Sequence, residues 1–168
     1  MKYFTNIKTV EELKKAYFAL AKKYHPDMGG SVEIMKEINN EYETLFANVK
    51  DIHTSVKEDS AEDTYTAKAP TNESPEDFIN IIKFLLSLGG LDIELCGRWL
   101  WIGGNTKEHK EQLKAMGCKW SAAKKLWSWH YDGDATPYHK KHSQDMSHIR
   151  SKYGSVSFES SEDQLLLA

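Results

Sequence analysis

Apolar residues recur at three- and four-residue spacing through Leu13, Ala16, Tyr17, Leu20, Ala21 and Tyr24, which predicts an amphipathic helix. Thr9 and Glu12 form a capping box at its start. Pro26 ends it, because proline lacks a backbone N–H and disfavours helical geometry at His25. Met28-Gly29-Gly30 reads as a turn, and Ser31 caps a second helix whose stripe is Met35, Ile38, Tyr42 and Leu45. Helices this close in sequence pack antiparallel, so His25-Pro26-Asp27 is expected at the exposed tip of a hairpin.

The periodicity stops near residue 50. Residues 50–73, with the run Lys57-Glu58-Asp59-Ser60-Ala61-Glu62-Asp63, are polar and acidic and read as a flexible linker. A third helix starts at Ser74-Pro75-Glu76-Asp77, runs through Phe78, Ile81, Ile82, Leu85 and Leu86, and ends at Gly89-Gly90. The pattern then changes to period two. Leu91, Ile93 and Leu95 alternate with Asp92, Glu94 and Cys96, Gly97-Arg98 reads as a hairpin turn, and Trp99–Ile102 is the returning strand. A helix over 107–116 and strands at Lys119-Trp120 and Leu126–Tyr131 follow, with a further short helix near Gln144–Lys152. Val156 and Phe158 are candidates for a short edge strand. The predicted fold class is α+β: an all-α helical hairpin over 1–49, the acidic linker over 50–73, a small α+β domain with an antiparallel sheet over 74–142, and a short helix and polar tail over 143–168.

Composition narrows the function classes. Hydrophobic residues make up 40% and charged ones 28%, ordinary proportions for a soluble globular chain, and the net charge of −3 excludes a wholly basic nucleic-acid coat. No apolar run is long enough to cross a membrane, and no signal peptide is legible at Met1-Lys2-Tyr3-Phe4. The two cysteines, Cys96 and Cys118, make no disulfide framework, so a reducing, cytoplasmic setting is expected.

Ala16-Tyr17, then Leu20-Ala21-Lys22-Lys23-Tyr24-His25-Pro26-Asp27, then Gly29-Gly30 resemble the J domain, the module by which J-proteins engage Hsp70 chaperones. The resemblance covers roughly residues 3–48. It implies a co-chaperone that is not itself an enzyme and needs no cofactor, with a DnaK-like Hsp70 as partner. His25, Pro26 and Asp27 would stimulate ATP hydrolysis in that partner, and Lys14, Lys15, Lys22 and Lys23 match basic positions of the family's contact helix. Such a lysine face meets an acidic surface and speeds encounter in a salt-sensitive way. The chain departs from the family at Phe18 and Ala19, which stand where two basic residues are usual, and at Met28. The family's first helix is shortened to Tyr3 and Phe4, which are expected to plug the open side of the hairpin. No Gly/Phe-rich stretch and no C-x-x-C pairs follow, so the layout resembles the minimal class, a J domain joined to an unrelated module that selects a client.

All five tryptophans fall between residues 99 and 129, interleaved with lysines. Strand alternation puts Trp99 and Trp101 on one face, and Trp127, Trp129 and Tyr131 on one face. Three readings stay open: a packed core, a protein-binding surface, or a stacking platform for nucleic acid. Arg98, Trp99, Trp101, Lys119, Lys124, Lys125, Trp127 and Trp129 are the candidate contacts for a client or for nucleic acid. A nucleic-acid-binding protein, with the hairpin as scaffold, is therefore the alternative function. Cys118, His130, His139 and His142 match no metal-ligand spacing, and no phosphate loop, nucleophile elbow or paired carboxylates are present, so neither a metal site nor intrinsic catalysis is expected.

Overall fold

The computed structural model describes residues 1–56, 64–68, 71–131, 133 and 145–158. Helix α1 (Val10–Tyr24) begins with the capping box, in which Glu12 N–H donates to Thr9 Oγ1 at 3.3 Å and the Glu12 carboxylate accepts from Thr9 N–H. A 3₁₀ turn (Pro26–Met28) leads to α2 (Val32–Val49), capped by Ser31. Tyr17 and Tyr42 pack across the two helices with ring centroids 4.6 Å apart. Phe4 is buried against Tyr42, and the N–H groups of Lys2, Tyr3 and Phe4 all converge on the Glu41 carboxylate, so the N-terminal segment seals the open side of the hairpin.

Within the stretch that reads as a linker, β1 (Ile52–Val56) and β2 (Thr64–Lys68) pair antiparallel, with Ile52 opposite Lys68 and Val56 opposite Thr64. Ile52 and Val56 are the only large aliphatic residues in the two strands and the positions between and opposite them are His, Thr, Ser, Tyr, Ala and Lys, which is why the hydrophobic pattern misses them. The acidic run 57–63, the 134–144 segment and the tail 159–168 lie outside the described residues.

Helix α3 (Pro75–Leu88) is capped as expected, with Ser74 N–H donating to Asp77 Oδ2 at 2.8 Å. Beyond it come β3 (Leu91–Cys96), β4 (Trp99–Gly104), α4 (Lys110–Ala115), β5 (Lys119–Ser121), β6 (Leu126–Trp129), α5 (Met146–Tyr153) and β7 (Val156–Phe158). The strands make one antiparallel sheet in the order β5-β6-β4-β3-β7. Gly97, at φ 61°, opens the two-residue turn between β3 and β4, a conformation that a side chain would resist. Register places Leu91, Ile93, Leu95, Leu100, Ile102, Trp127 and Trp129 on the face turned to the helices. Asp92, Glu94, Cys96, Trp99, Trp101 and Ser128 share the other face. There α5 is pinned by a two-pronged Arg150–Glu94 ion pair at 2.5 and 2.8 Å.

The hairpin and the sheet are joined by one continuous core. Phe78 of α3 sits at its centre, 5.9 Å from Tyr17, 6.3 Å from Tyr42 and 6.4 Å from Trp129, centroid to centroid. A two-helix hairpin cannot bury enough apolar surface by itself. Here α3 supplies the third helix, and the sheet closes the far side.

Candidate functional site at the hairpin tip

The His25-Pro26-Asp27 turn is built by backbone hydrogen bonds. The His25 carbonyl accepts from both Met28 N–H and Gly30 N–H at 2.9 Å, and Gly29 N–H donates to the Pro26 carbonyl. Gly30 is required, because a Cβ there would lie 1.9 Å from the Tyr24 carbonyl oxygen. Pro26 and Asp27 are exposed, whereas the His25 ring is buried. Its Nδ1 accepts a hydrogen bond from Asp27 N–H at 3.2 Å, with Asp27 Oδ2 3.5 Å away. Burial lowers the imidazole pKa from its ordinary value; Asp27 opposes this and Lys83 of α3 reinforces it. A neutral ring accepting at Nδ1 holds the Asp27 backbone while the carboxylate points outward. The site is thus a fixed turn that presents an acid above a buried ring.

The lysines divide. Lys15, Lys22 and Lys23 are exposed on α1; Lys22 Nζ donates to the Ser157 carbonyl of β7 at 3.2 Å, and Lys23 lies over the Tyr24 ring. Lys14 does not join them. Its place among the helix lysines predicts a partner-facing cation, but it is 0% exposed and forms a 2.5 Å ion pair with buried Glu73. Desolvation pulls the Lys14 ammonium below the ordinary lysine range, and Glu73 only partly restores it. Glu11, beside this pair, meets His53 at 3.0 Å and Arg98 at 3.5 Å. Phe18, which replaces a usual basic residue, is fully buried in the shared core, while Ala19 is exposed. Residue 14 is a lysine in the middle of an amphipathic pattern, and nothing local reveals that Glu73, distant in sequence, will meet it.

The tryptophan-rich part is corrected in the same way. Trp101 and Trp127 are buried and Trp129 packs on Phe78, so none of the three forms an open contact surface. Trp99 is 40% exposed, but its ring stacks on Trp101 at 5.8 Å and on His130 at 3.8 Å. Arg98 reaches back to Glu11 on α1. Lys124 lies 5.3 Å above the Trp101 ring, and Lys119 and Lys125 are exposed at the β5–β6 hairpin. Trp120, absent from the sequence-based contacts, is the most exposed tryptophan, at 51%. Cys96 and Cys118 are buried, and desolvation pushes their thiols up to about 12 and about 11, which makes them poor nucleophiles.

The family model for the DnaJ domain matches residues 5–52, the segment that carries this hairpin and its tip. The N-terminal region is a J domain, followed by a region built on an antiparallel sheet. Among curated proteins, the Chaperone protein DnaJ of Trichodesmium erythraeum is 60% identical over 38 residues, covering 21% of this chain and 10% of that protein. The Chaperone protein DnaJ of Bacillus licheniformis is 48% identical over 46 residues, 26% of this chain and 12% of that one. That of Carboxydothermus hydrogenoformans is 54% identical over 41 residues, 22% and 11%. The chain spans about a tenth of the length of these relatives. No solved structure matches the chain. Among the described residues, no helix is long and apolar enough to cross a membrane.

Proposed function

We propose that this protein is an Hsp70 co-chaperone: its J domain engages a DnaK-like partner in the ATP-bound state, and His25, Pro26 and Asp27 stimulate hydrolysis there. The observation that carries the reading is the intact His-Pro-Asp turn at the tip of a J-domain hairpin, with Asp27 outward and His25 locked beneath it. Lys15, Lys22 and Lys23 supply the cationic flank that meets an acidic surface on the partner; Lys14 takes no part. The protein performs no chemistry of its own and works in a reducing, cytoplasmic setting, in keeping with two unpaired, buried cysteines.

The sheet-bearing region selects the client. Because it shares a core with the hairpin, a client held on it sits at a set distance from Asp27, unlike one tethered by a loose linker. The test is single-turnover ATP hydrolysis by a bacterial DnaK with the wild-type chain, His25→Gln and Asp27→Asn. Stimulation by the wild type and return to the basal rate with either variant is expected. Asp27→Asn should keep the wild-type circular dichroism spectrum, since Asp27 is exposed and contributes little packing, and the buried His25→Gln is checked the same way before its effect on hydrolysis is compared. A wild-type chain that leaves hydrolysis at the basal rate would overturn the reading.

A further inference from the structure

Helix α3 lies outside the segment that matches the J domain, yet it reaches the hairpin tip. It runs alongside α1 in the same direction. Glu73, just before it, pairs with Lys14, and Phe78, one turn in, packs on Tyr17, one turn further along α1. Lys83 comes about 7.5 Å beyond Phe78 at the helical rise, which carries it to the last turn of α1. There α3 touches the Pro26–Met28 turn, and Met28 packs on the core that α3 shares with the hairpin.

The inward side of α3 is fixed by Phe78, Ile81, Ile82 and Leu85, all buried. Glu76, Asn80, Lys83 and Ser87 fall on the opposite side and are exposed. Lys83 is the cation of that stripe. Its charge and the Asp27 carboxylate both act on the His25 ring, so an exposed ammonium and an exposed carboxylate stand around one buried imidazole. Among the described residues no hydrogen bond or ion pair engages the Lys83 ammonium, and no acid lies within one turn of it along α3. Helix α1, by contrast, has given up charge: Lys14 is inside with Glu73, Phe18 is in the core, and Lys22 is held by the Ser157 carbonyl.

We propose that the Hsp70-docking surface is composite, made of Lys15, Lys22 and Lys23 of α1, the His25-Pro26-Asp27 turn, and Lys83 of α3, which meets an acidic group of the partner beside the turn. This contact rests on the co-chaperone reading and comes from outside the J domain. Charge complementarity names the occupant: cations on both helices that flank an exposed turn fit an acidic surface and repel a basic one. The sheet-bearing region thereby touches the partner through α3, the helix that joins it to the hairpin. An internal role, in which Lys83 only keeps the imidazole neutral, has a different signature. It would change the hydrolysis rate at saturation, whereas a docking contact changes the concentration at which saturation is reached.

The experiment is single-turnover ATP hydrolysis by a bacterial DnaK titrated with the full chain at about 50 and about 200 mM salt. Lys83→Gln should raise the half-saturating concentration about three- to fivefold at the lower salt and keep the saturated rate. Lys83→Glu should raise it about tenfold, Lys83→Arg should match the wild type, and the higher salt should shrink these differences. Lys110→Glu on α4, an equal change of net charge elsewhere on the surface, should leave the half-saturating concentration at the wild-type value. Circular dichroism checks that each variant keeps the wild-type helix content. Three results overturn the composite surface while the co-chaperone reading stands: wild-type stimulation with half-saturation unmoved by Lys83→Glu, an equal loss with Lys110→Glu, or a fall in the saturated rate alone. A wild-type chain without any stimulation overturns that reading and the Lys83 contact with it.

Discussion

At Lys14 an ammonium group has left water altogether and has Glu73 as its ion-pair partner, in a pocket that also faces Glu11 and Arg98. Taking both charges out of water costs more than their mutual attraction easily returns, but leaving either alone costs more still. Lys14→Met or Glu73→Leu alone should therefore destabilise the fold by about 3–5 kcal/mol, while the double variant should recover most of the loss. Urea denaturation of the four proteins closes the cycle. Additive losses in the double variant would mean that the two side chains act independently. The same reasoning explains why a residue readable as one of four surface lysines is in fact an internal brace. The polar identity of Lys14 is visible in the chain; its partner is not.

The helix–turn–helix element was largely legible, because its determinants are local. Thr9 with Glu12, Pro26, the Gly29-Gly30 pair and Ser31 act on backbone within a few residues of themselves, and each does in the structure what its chemistry requires. Gly30 is the strictest of them. Gly30→Ala should cost at least about 1 kcal/mol and disturb the turn, since the new methyl would overlap the Tyr24 carbonyl and the backbone would have to move. A lower thermal midpoint together with weaker stimulation of DnaK would be the signature; an unchanged midpoint would show that the turn relaxes freely. The β1–β2 ladder was illegible for the converse reason. Strand pairing is non-local, and Ile52–Val56 carries too little apolar alternation to announce a partner twelve residues away.

On the scale of the whole molecule, Phe78 bridges Tyr17, Tyr42 and Trp129, so hairpin and sheet should unfold together. A single calorimetric transition is expected for the wild type, and Phe78→Ala should lower stability by about 3–5 kcal/mol. Two well-separated transitions in the wild type would instead mean that the shared core contributes little. What the sequence determined by itself is the set of features that local chemistry dictates: the capped helices, the His-Pro-Asp turn between them, the Gly97 hairpin and the alternating faces of β3 and β4. Only the tertiary structure decided which charges and rings face water. Burial depends on contacts between residues far apart in the chain, so Lys14, Phe18, Trp101 and Trp127 went inside. Trp120, at the end of the sheet where no strand follows among the described residues, stayed out.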